Sequence, residues 1–376
     1  TGAVTDMGFM FDDATSFNQP ISAWNTAAVT NMESMFNDAT SFNQPIGSWI
    51  LNASVNMSTM LDDCGMDCIH YSTTLIAWAN NPATPSGRSL GTLGRQYGTN
   101  AVSARNTLTI TKGWTIMNDA ASSATCIPPY QPDEFITTWK TDNPGASNST
   151  SITIPTTGSG YNYEVDWDND GNYEQSGLTS NVTHNYGTAG TYTIRIRGAF
   201  PRIYFNDGND CRKLLDISQW GTTAWTSMER AFWGCSNLNI SATDVPNLSG
   251  VTKMELMFAR CSSLNGPANI GTWNTASVTD MDLAFSLTNA FNQPIGTWNT
   301  ASVTSMNGMF YEATAFNQPI GAWNTGAVTD MSAMFRGATS FNQPIGTWNT
   351  AAVTAMSVMF EDASAFNQPI GAWNTA

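Results

Sequence analysis

Apolar and polar positions recur along this chain with a period of 25 residues. One period reads F-N-Q-P-I-G-x-W-N-T-A-x-V-T-x-M-x-x-M-F-x-x-A-x-x, in which aromatic, Ile, Val and Met positions are separated mainly by Thr, Asn, Ser and Gly. A fixed period of this size predicts a solenoid, because each unit can bury its apolar face only against its neighbours. The Phe-Asn-Gln-Pro-Ile segment begins at Phe17, Phe42, Phe291, Phe316, Phe341 and Phe366.

The spacing inside one copy predicts its local structure. From Val353 to Phe360 the apolar residues fall at i, i+3, i+6 and i+7, which indicates one face of a short helix or of helical turns. The segment 366–370 predicts a short extended stretch. We therefore predict a leucine-rich-repeat-like coil with a short strand and a helical turn in each copy. Stacked coils would align a ladder of Phe291, Phe316, Phe341, Phe366, Asn292, Asn317, Asn342 and Asn367.

The repeats form two blocks, because the Met-x-x-Met-Phe element disappears after Met57 and returns at Met228. After the first block, the pattern predicts a helix over 72–79 and a strand over 107–111. Farther on, alternating runs bounded by Gly and Asn predict a small antiparallel β-sandwich. The predicted domains are solenoid block one (1–61), its C-terminal cap (62–118), a linker (119–133), the β-sandwich (134–204), a leading cap (205–250) and solenoid block two (251–376).

Both ends of the chain fall inside a repeat. Thr1–Met7 and Thr325–Met331 both read TGAVTDM, and Thr375–Ala376 begins another copy. We therefore expect the chain to be a piece of a longer tandem-repeat protein, in which sandwich, caps and repeat arrays alternate.

Two parts of the chain resemble known families. The 25-residue units, through their W-N-T-A-x-V-T-x-M-x-x-M-F-x-x-A core, resemble the BspA-type leucine-rich repeats of bacterial surface proteins over more than half of the chain. The segment from Tyr163 to Ile194 is similar to a PKD-type (polycystic-kidney-disease-type) β-sandwich, with the H-x-Y-x-x-x-G-x-Y motif from His184 to Tyr192. The usual F-G-D-G turn is replaced by Asp-Asn-Asp-Gly from Asp168. These resemblances imply an extracellular protein of a bacterial cell surface with adhesive or spacer roles and no catalysis.

Composition narrows the range of partners. Only 11% of residues are charged, which is typical of exposed β structure and repeats rather than of a cytosolic enzyme. The net charge of −15 and the pI near 4.3 argue against nucleic acid and against anionic membrane surfaces. No apolar run approaches the roughly 18 residues of a membrane span, so we predict no membrane insertion for this chain.

Catalytic chemistry is not predicted. His70 and His184 are the two histidines of the sequence, and neither belongs to a recognisable nucleophile–acid arrangement. Acidic residues scatter over the repeats, whereas a glycosidase needs two carboxylates at a set separation in a cleft. We therefore predict no catalytic residue, and calcium is the one cofactor that the sequence suggests.

The calcium hypothesis rests on one motif. Asp166–Gly171 matches D-x-D-x-D-G, in which alternate carboxylates bent around a glycine can surround Ca²⁺ with oxygen atoms. The twelfth position of an EF-hand loop would be Gly177 instead of Glu, so the full motif is absent. A plain hairpin turn is the alternative, because Asn-Asp-Gly is also a strong turn signal. The candidate ligands, which would stiffen the domain, are Asp166, Asp168, Asp170 and Glu174.

The chain has six cysteines. Cys64 and Cys68 lie four residues apart, and we predict a disulfide between them. As an alternative staple, Cys126 and Cys211 flank the segment between the blocks and could join its two ends. The other two cysteines occupy a repeat position that is Ala in other copies, so we expect small buried core residues there.

Three functions are compatible with these features. The first is a structural and adhesive segment of a long extracellular filament or surface fibre, which would self-associate into a homo-oligomer. The second is a leucine-rich-repeat recognition module that binds a protein or glycan on another cell. The third is the accessory part of a large exoenzyme. We favour the first, because residues at exposed repeat positions, such as the S/T/A after Gly, vary little between copies.

Overall fold

The computed structural model describes residues 3–374 and divides the chain into two compact units, Thr1–Pro129 and Tyr130–Ala376. Residues 1–2 and 375–376 lie outside the described residues. They belong to the two repeat copies from which we expect a longer tandem-repeat protein. Across residues 3–374, no helix has both the length and the apolar character needed to cross a membrane.

Each repeat folds as a series of tight turns. We call a repeat a row and number it by the first Met of its Met-x-x-Met-Phe element. In every row the second and sixth residues after that Met have a positive φ, as at Ala333 (54°) and Gly337 (69°). The amide of Met334 closes one turn on the carbonyl of Met331 at 3.3 Å, and that of Arg336 closes the next on Ala333 at 3.0 Å. Asp and Gly recur at the sixth position, because they tolerate the left-handed conformation.

Neighbouring rows are joined by backbone hydrogen bonds, most of which run from one row to the following row, while a Thr amide donates back to the preceding row, as Thr354 does to Thr329 at 2.8 Å. In row 331, four alternate amides donate to four alternate carbonyls of the following row. Rows 7, 32, 228, 254, 281 and 306 repeat this pattern with their own following rows. The bonds of row 331 are Met331 to Ala355 (2.9 Å), Ala333 to Ser357 (2.8 Å), Phe335 to Met359 (2.9 Å) and Gly337 to Glu361 (2.8 Å).

Equivalent side chains lie above one another in neighbouring rows. The successive ring centroids of Phe291, Phe316, Phe341 and Phe366 are 5.9, 6.0 and 5.9 Å apart. Next to this aromatic column, the backbone amide of each Asn donates to the side-chain oxygen of the Asn one row earlier. The distances are 3.0 Å from Asn317 to Asn292, 3.0 Å from Asn342 to Asn317, and 2.9 Å from Asn367 to Asn342.

The predicted leucine-rich-repeat-like solenoid, with a short strand and a helical turn in each coil, is wrong. Within the described part of 251–374 the rows contain turns and isolated parallel bridges such as Asp280↔Ser305, and their one regular element is a 3₁₀ turn at Ile270–Thr272. Most regular structure of the chain is instead in sheets. The apolar spacing misled the prediction, because a chain that alternates right- and left-handed residues also returns to the core every three or four positions.

After row 57 the first unit changes to mixed helices and short parallel strands. Helix α1 begins at Cys68, where Asp67 caps it by accepting from the amide of His70 at 2.8 Å. The predicted strand over 107–111 is a π-helical turn, in which Leu108 is buried and Ile110 is 79% exposed. A strand would have placed both side chains on one face. The elements are α1 (Cys68–Asn80), β1 (Ser89–Gly91), β2 (Gln96–Tyr97), a 3₁₀ turn (Thr99–Ala101), α2 (Val102–Asn106), the π turn (Thr107–Thr111), β3 (Thr115–Met117) and β4 (Ala120–Ala121), with parallel pairs β1–β3 and β2–β4.

The second unit is organised around a mixed six-stranded sheet. Its order is β12-β11-β5-β10-β7-β8, with β11–β12 parallel and the other neighbours antiparallel, while β6 and β9 form a separate antiparallel pair. The strands are β5 (Phe135–Lys140), β6 (Ser151–Ile154), β7 (Asn162–Asp166), β8 (Gln175–Leu178), β9 (Val182–Asn185), β10 (Thr191–Ala199), β11 (Leu214–Gln219) and β12 (Asn239–Ile240), with a 3₁₀ turn at Cys211–Lys213.

The predicted separate β-sandwich over 134–204 is therefore also wrong. Strands β11 and β12 lie beyond residue 204, yet they extend the sheet through the pairing of β11 with β5. Leu214 and Ile217 of β11 are buried in the same hydrophobic cluster as Phe335 and the other core residues of the second block. The sheet and the rows share this core because β11 leads directly into the rows.

Candidate functional site

The turn between β7 and β8 gathers four acidic side chains. Asp166 is the last residue of β7 and Glu174 immediately precedes β8, so antiparallel pairing of these strands brings the two ends of the turn together. Asp168 and Asp170 lie within the turn. One oxygen atom from each carboxylate lies within 4.8 Å of the others. The structure thus brings all four predicted ligands into one cluster.

Hydrogen bonds inside the turn position these carboxylates. Asp166 accepts from the amides of Asp170 at 3.2 Å and Gly171 at 2.7 Å, which bends the chain around the glycine. Glu174 accepts from the amide of Trp167 at 2.8 Å. Each of these two carboxylates keeps oxygen lone pairs for a further partner, because a carboxylate offers about four acceptor sites.

Burial dominates the electrostatics of the cluster. Burial, and then the charge of Asp170, raises the pKa of Asp166 to about 6. Partial loss of hydration in the turn and the nearby Asp166 raise the pKa of Glu174 to about 7, although this residue is still exposed at the surface, and burial raises the pKa of Asp170. The buried guanidinium of Arg195, with its Nε 3.3 Å from Asp166, supplies one positive charge. Protons or a cation with a preference for oxygen ligands would balance the remaining negative charge.

The predicted Cys64–Cys68 disulfide is corrected by the structure. Cys68 pairs with Cys126, at a Cα–Cα distance of 5.6 Å, and Cys64 is a free, buried thiol. Cys68 is the first residue of α1, and Cys64 points into the core of row 57 like the Ala of other rows, so the two side chains diverge. Cys211, which the alternative pairing joined to Cys126, is also free and buried.

Both histidines make contacts with their local surroundings. The ring of His184 stacks on Trp167 at 4.7 Å and meets the edge of Tyr186 at 4.5 Å, and burial lowers the pKa of His184. His70 Nδ1 lies 3.0 Å from the carboxylate of Asp67, at the start of α1.

A second candidate site was missed by the sequence analysis. The second, fifth and sixth residues after the first Met of each row share one surface, and their side chains differ strongly between rows. In rows 228 to 306 they line a shallow groove of about 230 Å³. We call this groove the varied strip. Its residues are Trp233, Leu256, Ala259, Arg260, Leu283, Ser286, Leu287 and Tyr311.

Three leucines of the varied strip have left-handed backbone conformations. Leu256, Leu283 and Leu287 have φ values of 55°, 56° and 60°. A left-handed conformation costs a leucine roughly 1–2 kcal/mol, and Phe9 and Val358 carry the same cost at the second position of other rows, whereas Gly308 occupies that position without it. Observed backbone strain suggests a function, because a strained conformation persists only where the surrounding structure holds it. The variation at these three positions was visible in the sequence. That their side chains share one surface is visible only in the structure.

One family model matches both repeat blocks. Its description is "Mycoplasma protein of unknown function, DUF285", and it matches residues 1–76, 226–328 and 284–376, which together exceed half of the chain. No curated protein and no solved structure matches the chain.

Proposed function

The chain belongs to the family described as Mycoplasma protein of unknown function, DUF285, and we propose that it is a non-catalytic structural segment of an extracellular repeat protein. The finer resemblance to BspA-type surface repeats belongs to the same proposal. This proposal places the chain on a bacterial cell surface, where the repeats provide adhesion or spacing.

The observation that carries this proposal is the regularity of the rows. Each interface from row 281 to row 356 reuses four backbone hydrogen bonds, an aromatic column and an Asn column. Additional copies of one row extend such an array without any new interface, because each repeat contacts only its neighbours. This arrangement suits a scaffold better than a reaction centre.

The Cys68–Cys126 disulfide supports an extracellular location, because disulfides persist in oxidising compartments and are rare in the cytosol. Antibody labelling of intact and permeabilised cells that express the protein tests this location. We expect equal labelling of both, and fibres in electron micrographs of the native protein. Labelling only after permeabilisation, with both thiols reduced, would contradict the proposal.

Recognition of a protein or glycan along the varied strip is the second candidate function. The strip supports it because the bulky side chains of Trp233, Leu287 and Tyr311 occupy positions at which other rows carry Asp, Gly or Ser. Apolar and aromatic side chains next to an exposed Arg260 offer contact area that the monotonous rows lack. This candidate differs from the first in one respect: adhesion would depend on these side chains and not on the array alone.

A triple variant separates the two functions. Leu283→Gly, Leu287→Asp and Tyr311→Ser introduce residues that other rows carry at these positions. We expect the free energy of unfolding to rise by about 1 kcal/mol for each relieved leucine, and binding of the labelled chain to whole cells and to a glycan array to stay unchanged. The control is Ser302→Ala at another exposed position, where row 331 has Ala352. Loss of binding in the triple variant alone would favour recognition.

We also propose calcium as the ion of the acidic cluster, where it would stiffen the β7–β8 turn. The raised pKa values of Asp166 and Glu174 mean that these groups favour the folded state most below about pH 4, and that this contribution is lost as pH rises through about 6 and 7. A bound dication would offset the resulting repulsion of ionised carboxylates at neutral pH.

Calcium is therefore expected to stabilise the protein at pH 7 more than at pH 5. Thermal unfolding with and without millimolar Ca²⁺ measures this difference, since extracellular sites bind in that range. Glu174→Gln should remove most of the calcium response, whereas Asp142→Asn, an exposed carboxylate of the same unit outside the cluster, should leave it intact. A melting temperature of the wild type that ignores Ca²⁺ at pH 7 would exclude the site.

A further inference from the structure

The Cys68–Cys126 disulfide joins the two ends of one internal segment of the chain. The last row of the first block continues through Cys64, and α1 begins at Cys68. At the other end, Cys126 lies four residues before Tyr130, the first residue of the second unit. We call residues 68–126 the bridged segment. It contains α1, α2 and the strands β1 to β4.

The part of the bridged segment that leads to the second unit is weakly held by packing. Residues 120–125 are exposed or half-buried, whereas Cys126 is buried. β4 has two residues, Ala120–Ala121, and pairs with β2. Beyond β4, the amide of Thr99 donates to the carbonyl of Ala124 at 2.9 Å. Backbone hydrogen bonds that are exposed to water, with few buried apolar contacts beside them, open at little free-energy cost.

The rest of the bridged segment covers the last row of the first block. In row 57, the amides of Leu61 and Asp63 donate to the carbonyls of Gly91 at 3.0 Å and Leu93 at 2.9 Å. Leu90 is buried in the same hydrophobic cluster as the core residues of rows 32 and 57. Detachment of the segment would remove the acceptors of these amides and expose apolar side chains, and such an edge favours pairing with other chains.

We propose that the disulfide transmits tension past the bridged segment. This inference rests on the proposed structural function, because a spacer or an adhesive segment transmits force between its parts. Without the disulfide, force between the first repeat block and the second unit runs along the backbone through residues 120–125 and pulls β4 away from β2. With the disulfide intact, the force passes from Cys68 directly to Cys126. The bridged segment then stays in place on row 57 under load.

The disulfide also limits how far the chain can lengthen. Its cysteines are separated by 58 positions, and an extended chain spans about 3.5 Å per residue, so reduction adds about 200 Å of extensible chain. A dithiol reductant performs this step by transferring two electrons and two protons. The Sγ–Sγ bond breaks, Cys68 and Cys126 become thiols, and the reductant becomes a disulfide.

Single-molecule force spectroscopy of the 376-residue chain, held at its two ends, tests the proposal. We expect the oxidised wild type to unfold without a lengthening step of about 200 Å. In a dithiol reductant, the same protein should show this step before any other. Cys126→Ser should show it with and without reductant. Cys64→Ala, which retains the disulfide, is the matched control and should behave like the wild type in both conditions.

A further variant weakens the hold on the outgoing chain without removing the disulfide. The side chain of Asn100 donates to the carbonyl of Cys126 at 2.9 Å and accepts from the amide of Cys126 at 2.9 Å. Asn100→Ala should therefore lower the force of the additional step in the reduced protein. It should leave the oxidised protein unchanged, because there the disulfide bears the load.

Two results would overturn the proposal: equal lengthening of the oxidised and reduced wild type, or an additional step that is not the first to occur. Reduction of the folded wild type provides this comparison whether or not Cys126→Ser folds. Surface labelling of intact cells tests the structural function separately, because it does not depend on the response to force.

Discussion

Replacing Cys126 by Ser is expected to lower the free energy of unfolding of the first unit by roughly 4 kcal/mol. The disulfide joins residues separated by 58 positions, and a cross-link that closes a loop of this length removes conformational entropy of about that magnitude from the unfolded chain. The melting temperature should fall by about 10 to 15 °C. Differential scanning calorimetry of the full chain, with and without a reducing agent, measures the effect.

The control for this prediction is Cys64→Ala, which introduces the residue that rows 7 and 32 carry at the same position, Ala14 and Ala39. It should unfold close to the wild-type temperature, and reduction should still destabilise it. The Cys126→Ser protein should be insensitive to reduction. Loss of the reduction response in Cys64→Ala would instead indicate the Cys64–Cys68 bond that the sequence suggested.

The second large effect is expected in a second column of rings beside the aromatic column, formed by Phe285, Phe310, Phe335 and Phe360. Phe335→Ala should lower the free energy of unfolding of the second unit by roughly 4 kcal/mol, as is typical for removal of a fully buried aromatic side chain. Phe335 stacks on Phe341 at 3.9 Å and on the rings of both neighbouring rows, Phe310 and Phe360, at 5.7 Å. Its removal opens a cavity that the rigid hydrogen-bonded rows on both sides cannot close.

Phe360→Ala is the matched control, because Phe360 occupies the same position of the last described row. It is half-buried and stacks on Phe366 at 4.0 Å and on only one neighbouring row through Phe335. Its loss should cost about half as much, roughly 2 kcal/mol. Urea unfolding followed by tryptophan fluorescence compares the two. Equal losses would show that stacking between rows contributes little to the stability of the array.

The fold was only partly predictable, and particular residues show why. The apolar spacing from Val353 to Phe360 identified which side chains face the core, but two local conformations satisfy it. Helical turns keep every φ negative, whereas the observed rows place Val358 at +50° and Asp362 at +60°. Burial depends on the direction of a side chain, so the pattern does not report the sign of φ.

The candidate site divides in the same way. The motif from Asp166 to Glu174 is local, so the sequence alone placed its four acidic residues in one turn. The varied strip is not local, because residues such as Trp233 and Tyr311 meet only when rows lie side by side. Cys68 and Cys126 likewise come together through the packing of the segment after row 57, which the short spacing of Cys64 and Cys68 gave no means to foresee.

The sequence by itself determined the period, the positions of equivalent residues in each repeat, and the acidic turn, because these depend on order and spacing along the chain. Only the tertiary structure decided the left-handed turns, the hydrogen bonds between rows, the extension of the six-stranded sheet by β11 and β12, and the partner of Cys68. These features depend on contacts between residues far apart in the chain, where hydrogen-bond geometry and close packing choose among partners that the local pattern leaves equivalent.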